Sequence, residues 1–109
     1  MSLALSQNYL EASPIAQKVA AAASITASYT LVGSIFGQGL INLIIVSTLD
    51  QPVQISLDGV TDWIPIPAGA TLIIDLKSNL SAFGGWRGVY VKQIGVPTTG
   101  SLYVSGIGV

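Results

Sequence analysis

The sequence contains neither cysteine nor histidine. The first absence excludes disulfides and thiolate chemistry, and removes redox usage as a guide to compartment. The second takes away the usual general base near neutral pH and the commonest transition-metal ligand. Charge is also scarce. Four Lys or Arg and five Asp or Glu leave a net charge of −1, and only 8% of the 109 residues are charged, against about 25% in an ordinary soluble domain. The bases Lys18, Lys77, Arg87 and Lys92 stand apart in the chain. No cluster therefore neutralises several phosphates at once, and nucleic acid is not an expected partner. Long hydrophobic runs are missing too. The most apolar stretch, Leu40 to Val46, includes Asn42 and falls far short of the roughly 20 residues of a membrane-spanning helix. No membrane partner is expected. Glu11, Pro14 and Lys18 interrupt the segment before Ala20-Ala21-Ala22-Ala23-Ser24, so no export signal is read there.

What is present is apolar. Half of the chain is hydrophobic, enough to give one domain of this length a core. A surface this poor in charge is expected to be covered, and the natural cover is other protein chains.

The stretch from Ser56 to Leu76 shows the organisation most plainly. It reads as strand, turn at Asp58-Gly59, strand, turn at Pro67-Ala68-Gly69, strand. Asp bonds its own local backbone, and Pro presets φ for a turn. Upstream, Ser24 to Val32 alternates Ile25, Ala27, Tyr29 and Leu31 with Ser24, Thr26, Ser28 and Thr30, the period of a half-buried strand. Leu40 to Leu49 is almost continuously apolar. Its consecutive Ile44, Ile45 and Val46 favour a strand over a buried helix. It is expected to be central and covered on both faces, by the core on one and by a neighbouring subunit on the other. Val53 to Leu57 alternates again. Pro65 within Asp62–Ile66 marks an edge or bulged strand, because proline cannot donate to a ladder. Thr71–Leu76, Arg87–Ile94 and Ser101–Val109 complete the set. About seven strands at roughly ten-residue spacing predict an all-β, antiparallel β-sandwich or jelly-roll-like domain over residues 23–109.

Residues 1–22 differ. Ser13-Pro14 is a helix-start pair, and Ile15 to Ala22 is Ala-rich, but two turns of helix are not stable alone in water. The segment is expected to be an N-terminal arm, extended or briefly helical, that docks on neighbouring chains.

Little suggests chemistry. Asp58 and Asp62 lie four apart, and strand pairing offers a way to bring Asp75 near them. Such carboxylates serve glycosidases or Ca²⁺ sites, yet turn acids that accept local N–H groups explain them as well. The seven Thr and twelve Ser residues lack a neighbouring base to activate a hydroxyl. No catalytic, metal-binding or cofactor-binding residue is expected, and a small hydrolase has only the Asp58–Asp62 pair to stand on. Trp63, Phe83, Trp86, Tyr90 and Tyr103 are a potential sugar-stacking platform.

A longer string of features is more specific. It comprises Ala27-Ser28-Tyr29-Thr30, the apolar strand ending at Val46-Ser47-Thr48, Ile55 through Asp62, Ile66-Pro67-Ala68-Gly69, Ile74 through Asn79, Val89-Tyr90-Val91-Lys92 and Thr99 through Ser105. Over about residues 24–107 this resembles a group of small virion proteins of tailed bacteriophages. The resemblance implies a β-sandwich building block present in many symmetric copies, on the capsid surface or at the neck or tail. It implies a capsid decoration (cement) or collar and tail-adaptor subunit, assembled in the host bacterial cytoplasm. Its partners would be copies of itself and other virion proteins: the major capsid, portal or adaptor, or tail proteins. The residues expected to make those contacts are Leu3, Leu5, Tyr9 and Leu10 in the arm and Phe36, Phe83 and Trp86 in loops. The alternative is a carbohydrate-binding, receptor-attachment module.

Overall fold

A computed structural model describes residues 13–37, 39–75 and 88–108. Within them the chain forms eight strands: β1 (Ser13–Ala21), β2 (Thr30–Leu31), β3 (Leu40–Ser47), β4 (Val53–Ser56), β5 (Ile64–Ile66), β6 (Thr71–Asp75), β7 (Tyr90–Gln93) and β8 (Ser101–Gly108). One short 3-10 turn, Ala22–Ser24, follows β1. The strands make two four-stranded antiparallel sheets, ordered β1-β8-β3-β6 and β2-β7-β4-β5. We call these the first and second sheets.

The pairing has a simple logic. β1 pairs with β8, β2 with β7, β3 with β6 and β4 with β5. The chain is thus one long antiparallel ribbon, doubled back at the β4–β5 turn. The ribbon folds over itself, and β3–β8 and β4–β7 pairing closes the two sheets. This is the jelly-roll form of the β-sandwich.

Alternation sends one face of each strand inward. Leu43, Ile45, Leu102 and Val104 of the first sheet meet Val53, Ile55, Ile66 and Val91 of the second, all buried. Val32, Phe36, Leu49 and Val89 close the core from the connections. Burial of each such side chain stabilises the fold by about 1.5–3 kcal/mol. The edges behave as the residues require. β5, which contains Pro65, is an edge strand of the second sheet, where the missing N–H costs no ladder bond.

The two loops at one end of the ribbon are tied together. Asp50, between β3 and β4, accepts hydrogen bonds from Thr98 N at 2.9 Å and Thr98 Oγ1 at 2.6 Å in the β7–β8 connection. Thr48 N donates to Ser101 O at 2.9 Å, and Ser101 N donates to Thr48 Oγ1, also at 2.9 Å.

Two expectations need correction. Residues 13–21 are not part of an arm, extended or helical, that leaves the domain. They form β1, and the sandwich begins at Ser13 rather than residue 23. The Ala-rich segment finds its partner in β8, which supplies every ladder bond that a two-turn helix would have had to make alone. Of the arm expected over residues 1–22, residues 1–12 lie outside the described residues, as do residues 76–87. Secondly, Ser24–Val32 is not one strand. Only Thr30 and Leu31 pair, with β7. Its hydroxyls bond locally instead: Ser24 Oγ donates to Ala21 O, while Thr26 Oγ1 donates to Ser28 O and accepts from Ser28 N. Such bonds compete with a ladder. β3 is central, as expected, and within the single chain the core covers one of its faces. Leu40, Leu43, Ile45 and Ser47 are buried, while Ile41, Asn42, Ile44 and Val46 are only half-buried.

Candidate interaction surface

The register of the first sheet defines what its outer face presents. Directly opposed residues on antiparallel strands point to the same side. Val19, Tyr103, Val46 and Thr71 therefore form one row across β1, β8, β3 and β6. Ser105, Ile44 and Ile73 form the next, and Pro14, Ile107, Asn42 and Asp75 a third. Val19 is 46% and Ile73 67% exposed, and Ile44, Val46, Tyr103 and Ile107 are half-buried. Among the described residues the outer face is thus a largely apolar field with one charge, Asp75, at a corner.

The second sheet is different. Gln54 of β4 lies between Pro65 of β5 and Lys92 of β7 on its outer side. An antiparallel sheet that faces water is expected to look like this second face, not like the first.

The acids fall into local structure. Asp58 Oδ1 accepts from Ser56 Oγ, Val60 N and Thr61 N at 2.7–2.8 Å, and Oδ2 accepts from Thr61 Oγ1 at 2.9 Å. The amide of Thr61, then that of Val60 and the Ser56 hydroxyl, hold the Asp58 carboxyl far below the usual range. Asp62 accepts from the Tyr29 hydroxyl and pairs with Lys92 Nζ at 3.1 Å. Lys92 Nζ also lies 4.7 Å from the Tyr29 ring centre. The Tyr29 hydroxyl and Lys92 hold the Asp62 carboxyl low. Desolvation, followed by the bond to Asp62, pushes the Tyr29 phenol up to about 12. Asp50 is held low by the Thr98 hydroxyl and amide.

Asp58, Asp62, Leu57, Thr61 and Trp63 line an open groove of about 240 Å³. Neither acid suits proton donation there, because glycoside hydrolysis needs one carboxyl raised and both are lowered. Asp75 does not join them: it lies on β6 of the other sheet. No group of three or more acids among the described residues is placed to hold a metal ion.

These shifts set a pH profile. A carboxyl whose folded pKa is depressed stabilises the fold above its ordinary value, about 3.9, and ceases to do so as pH falls through the folded value. A phenol raised above its ordinary value of about 10 stabilises the fold below that value and loses the contribution as pH rises further. Thermal melts are therefore expected to be flat from about pH 5 to 9, to fall below about pH 4 and to fall again above about pH 10. A step centred between pH 6 and 7 would contradict this origin.

No family model matches the chain, and no curated protein does. The surface must therefore be read from its own residues. Of those expected to make contacts, Leu3, Leu5, Tyr9, Leu10, Phe83 and Trp86 lie outside the described residues. Phe36 is corrected: it is 1% exposed and part of the core, with Lys18 Nζ 5.1 Å from its ring centre. A loop position between glycines suggested exposure, but the β2–β3 connection folds the ring inward under Lys18. The sequence reading missed Val19, Ile73, Tyr103 and Ile107 as one surface. The signal it did catch was the second apolar side of β3. Of the aromatics in the expected sugar platform, Phe83 and Trp86 lie outside the described residues, Tyr103 lies on the first sheet, and Trp63 and Tyr90 lie with the second sheet, where Trp63 lines the groove.

Proposed function

We propose that the chain is a structural subunit of a bacteriophage virion, a capsid decoration or a collar and tail-adaptor protein. It works by multivalent protein contacts and carries out no chemistry. The observation that supports this most is the apolar outer face of the first sheet in a chain with 8% charged residues. Burial of such a face contributes roughly 25 cal/mol per Å² before association costs, and repetition across a particle adds avidity. The jelly-roll form agrees with this reading, since viral capsid domains use it, but lectin domains use it too. The apolar face supports the first, and the fold alone favours neither.

Quantitative mass spectrometry of purified virions from the phage that encodes the chain is the test. Hundreds of copies in multiples of three would indicate capsid decoration, and six or twelve would indicate neck or tail. Absence from the particle would end this reading. The groove beside Trp63 is the feature that favours the carbohydrate alternative. Glycan binding lost on Trp63→Ala would support that alternative.

A further inference from the structure

We infer that the outer face of β1-β8-β3-β6 packs against the same face of a second copy of this chain. Three features select this mode of contact and this occupant.

The first is that strand addition at the sheet edges is discouraged. β1 is an edge strand, but its register shifts between Ile15 and Lys18. Lys18 pairs in register with buried Val104, which directs its side chain toward the interior, where Nζ donates to Ser34 Oγ at 2.9 Å. A bulge and an inward-directed charge are devices that keep an edge from recruiting another strand. In the second sheet, β2 has only two residues and β5 contains Pro65. Three of the four edges are thus blunted, and the fourth, β6, is five residues long, so the four-stranded face offers a second copy more contact than an edge does.

The second is composition. The outer face offers Val19, Tyr103, Val46, Ile44, Ile73 and Ile107, with small hydroxyls at Thr71 and Ser105. This is the kind of surface the sandwich already packs inside itself. The same sheet-on-sheet packing, about 10 Å apart, is open to a second copy. Among the described residues the face carries one charged side chain, Asp75, at a corner, which gives a partner selected by charge little to recognise. A nearly uncharged apolar face is self-complementary, as a two-fold contact requires.

The third is area. Four strands about 4.8 Å apart and up to eight residues long at about 3.3 Å each give a face of roughly 400–500 Å². Two copies then bury about 800–1,000 Å², less than the roughly 1,200–2,000 Å² of a stable interface and in the range of a weak, transient one. Such a contact is reinforced when the subunits are also held in a particle.

The inference rests on the chain being a self-assembling subunit, yet it is tested apart from its place in a virion. The chain has no cysteine, so one introduced thiol reports on one contact. Ser105 lies beside Ile44 at the middle of the face, where a two-fold axis would bring it close to its copy. Ser105→Cys in the full chain, under mild oxidation, is expected to give a disulfide-linked dimer. Thr98→Cys, on the exposed β7–β8 connection, is expected to stay monomeric under the same conditions. Sedimentation equilibrium is expected to show a dimer for the unmodified chain, weakened roughly tenfold or more by Ile73→Lys and unchanged by Val60→Lys, an exposed apolar residue of the β4–β5 loop. A monomer at every concentration up to about 1 mM, cross-linking only through Thr98→Cys, or association indifferent to Ile73→Lys would overturn the inference. Capture of a different protein by this face, with no dimer, would overturn it as well. Presence or absence in purified virions leaves this result untouched, so the two readings fail separately.

Discussion

Gly100→Ala is expected to destabilise the fold by about 3 kcal/mol or more, a large share of the stability of a small domain. Two costs combine. Gly100 has φ +87°, a left-handed conformation that costs a residue with a Cβ about 1–2 kcal/mol. A Cβ there would also lie 2.0 Å from Thr48 O and 2.5 Å from its carbonyl carbon. The obstacle is backbone and cannot swing aside. Thr48 is held on β8 by its amide to Ser101 O and by its hydroxyl from Ser101 N, so relief requires opening the tie between the two loops. Gly69→Ala is the control. Its φ is +70°, but nothing lies within 4 Å of the added carbon, so only the conformational cost remains, about 1–2 kcal/mol. Urea titrations of both variants measure the difference directly, with an unchanged slope showing that the unfolded state is not the cause. Equal losses would show that the close approach to Thr48 carries no energy.

Phe36→Ala is expected to cost about 3–5 kcal/mol of stability, the usual price of removing a buried aromatic ring. Phe36 is 1% exposed and packs with the core that joins both sheets. Its loss also leaves the Lys18 ammonium without the ring beneath it, and that charge has been drawn inward by the edge strand. The result separates two roles for one residue. A core ring lowers the denaturation midpoint and leaves association of the folded chain unchanged. A contact ring does the reverse, so an unaltered midpoint with weakened self-association would return Phe36 to the interface where its loop position first placed it.

The residues show why part of this fold was legible and part was not. β3, β4, β6 and β8 carry alternation or β-branched runs that only a strand accommodates, and Pro65 marked β5 as an edge from the chemistry of a missing N–H. β1 was hidden because Ser13-Pro14 and the alanines imitate a helix start, and because its partner β8 lies at the far end of the chain. Local pattern does not report a partner that distant. The pairing that makes a jelly roll was out of reach for the same reason: alternation says which residues share a face, not which strand lies alongside. Ser24–Val32 misled in the opposite way, with clean alternation overridden by hydroxyls that bond to nearby backbone. The interaction surface was half visible. Ile44 and Val46 announced a second apolar side of β3. Alternation put Ile73 on the side of Asp75, opposite Leu72 and Ile74, but only the register with Ile44 shows which residues of the other strands share that side. The acids were read correctly in kind, since Asp58 is taken up by its own turn. Nothing in the spacing told that Asp62 would reach Tyr29 and Lys92.

The most direct test of an assembly role for the first sheet is competitive incorporation. Virions would be produced with an equal supply of unmodified chain and either Ile73→Lys or Val60→Lys, and the ratio in purified particles measured by mass spectrometry. Val60 is 80% and Ile73 67% exposed, so neither change is expected to disturb folding. The expected result is that Val60→Lys enters in proportion to supply and Ile73→Lys is depleted roughly tenfold or more. Equal incorporation of both variants would contradict the account.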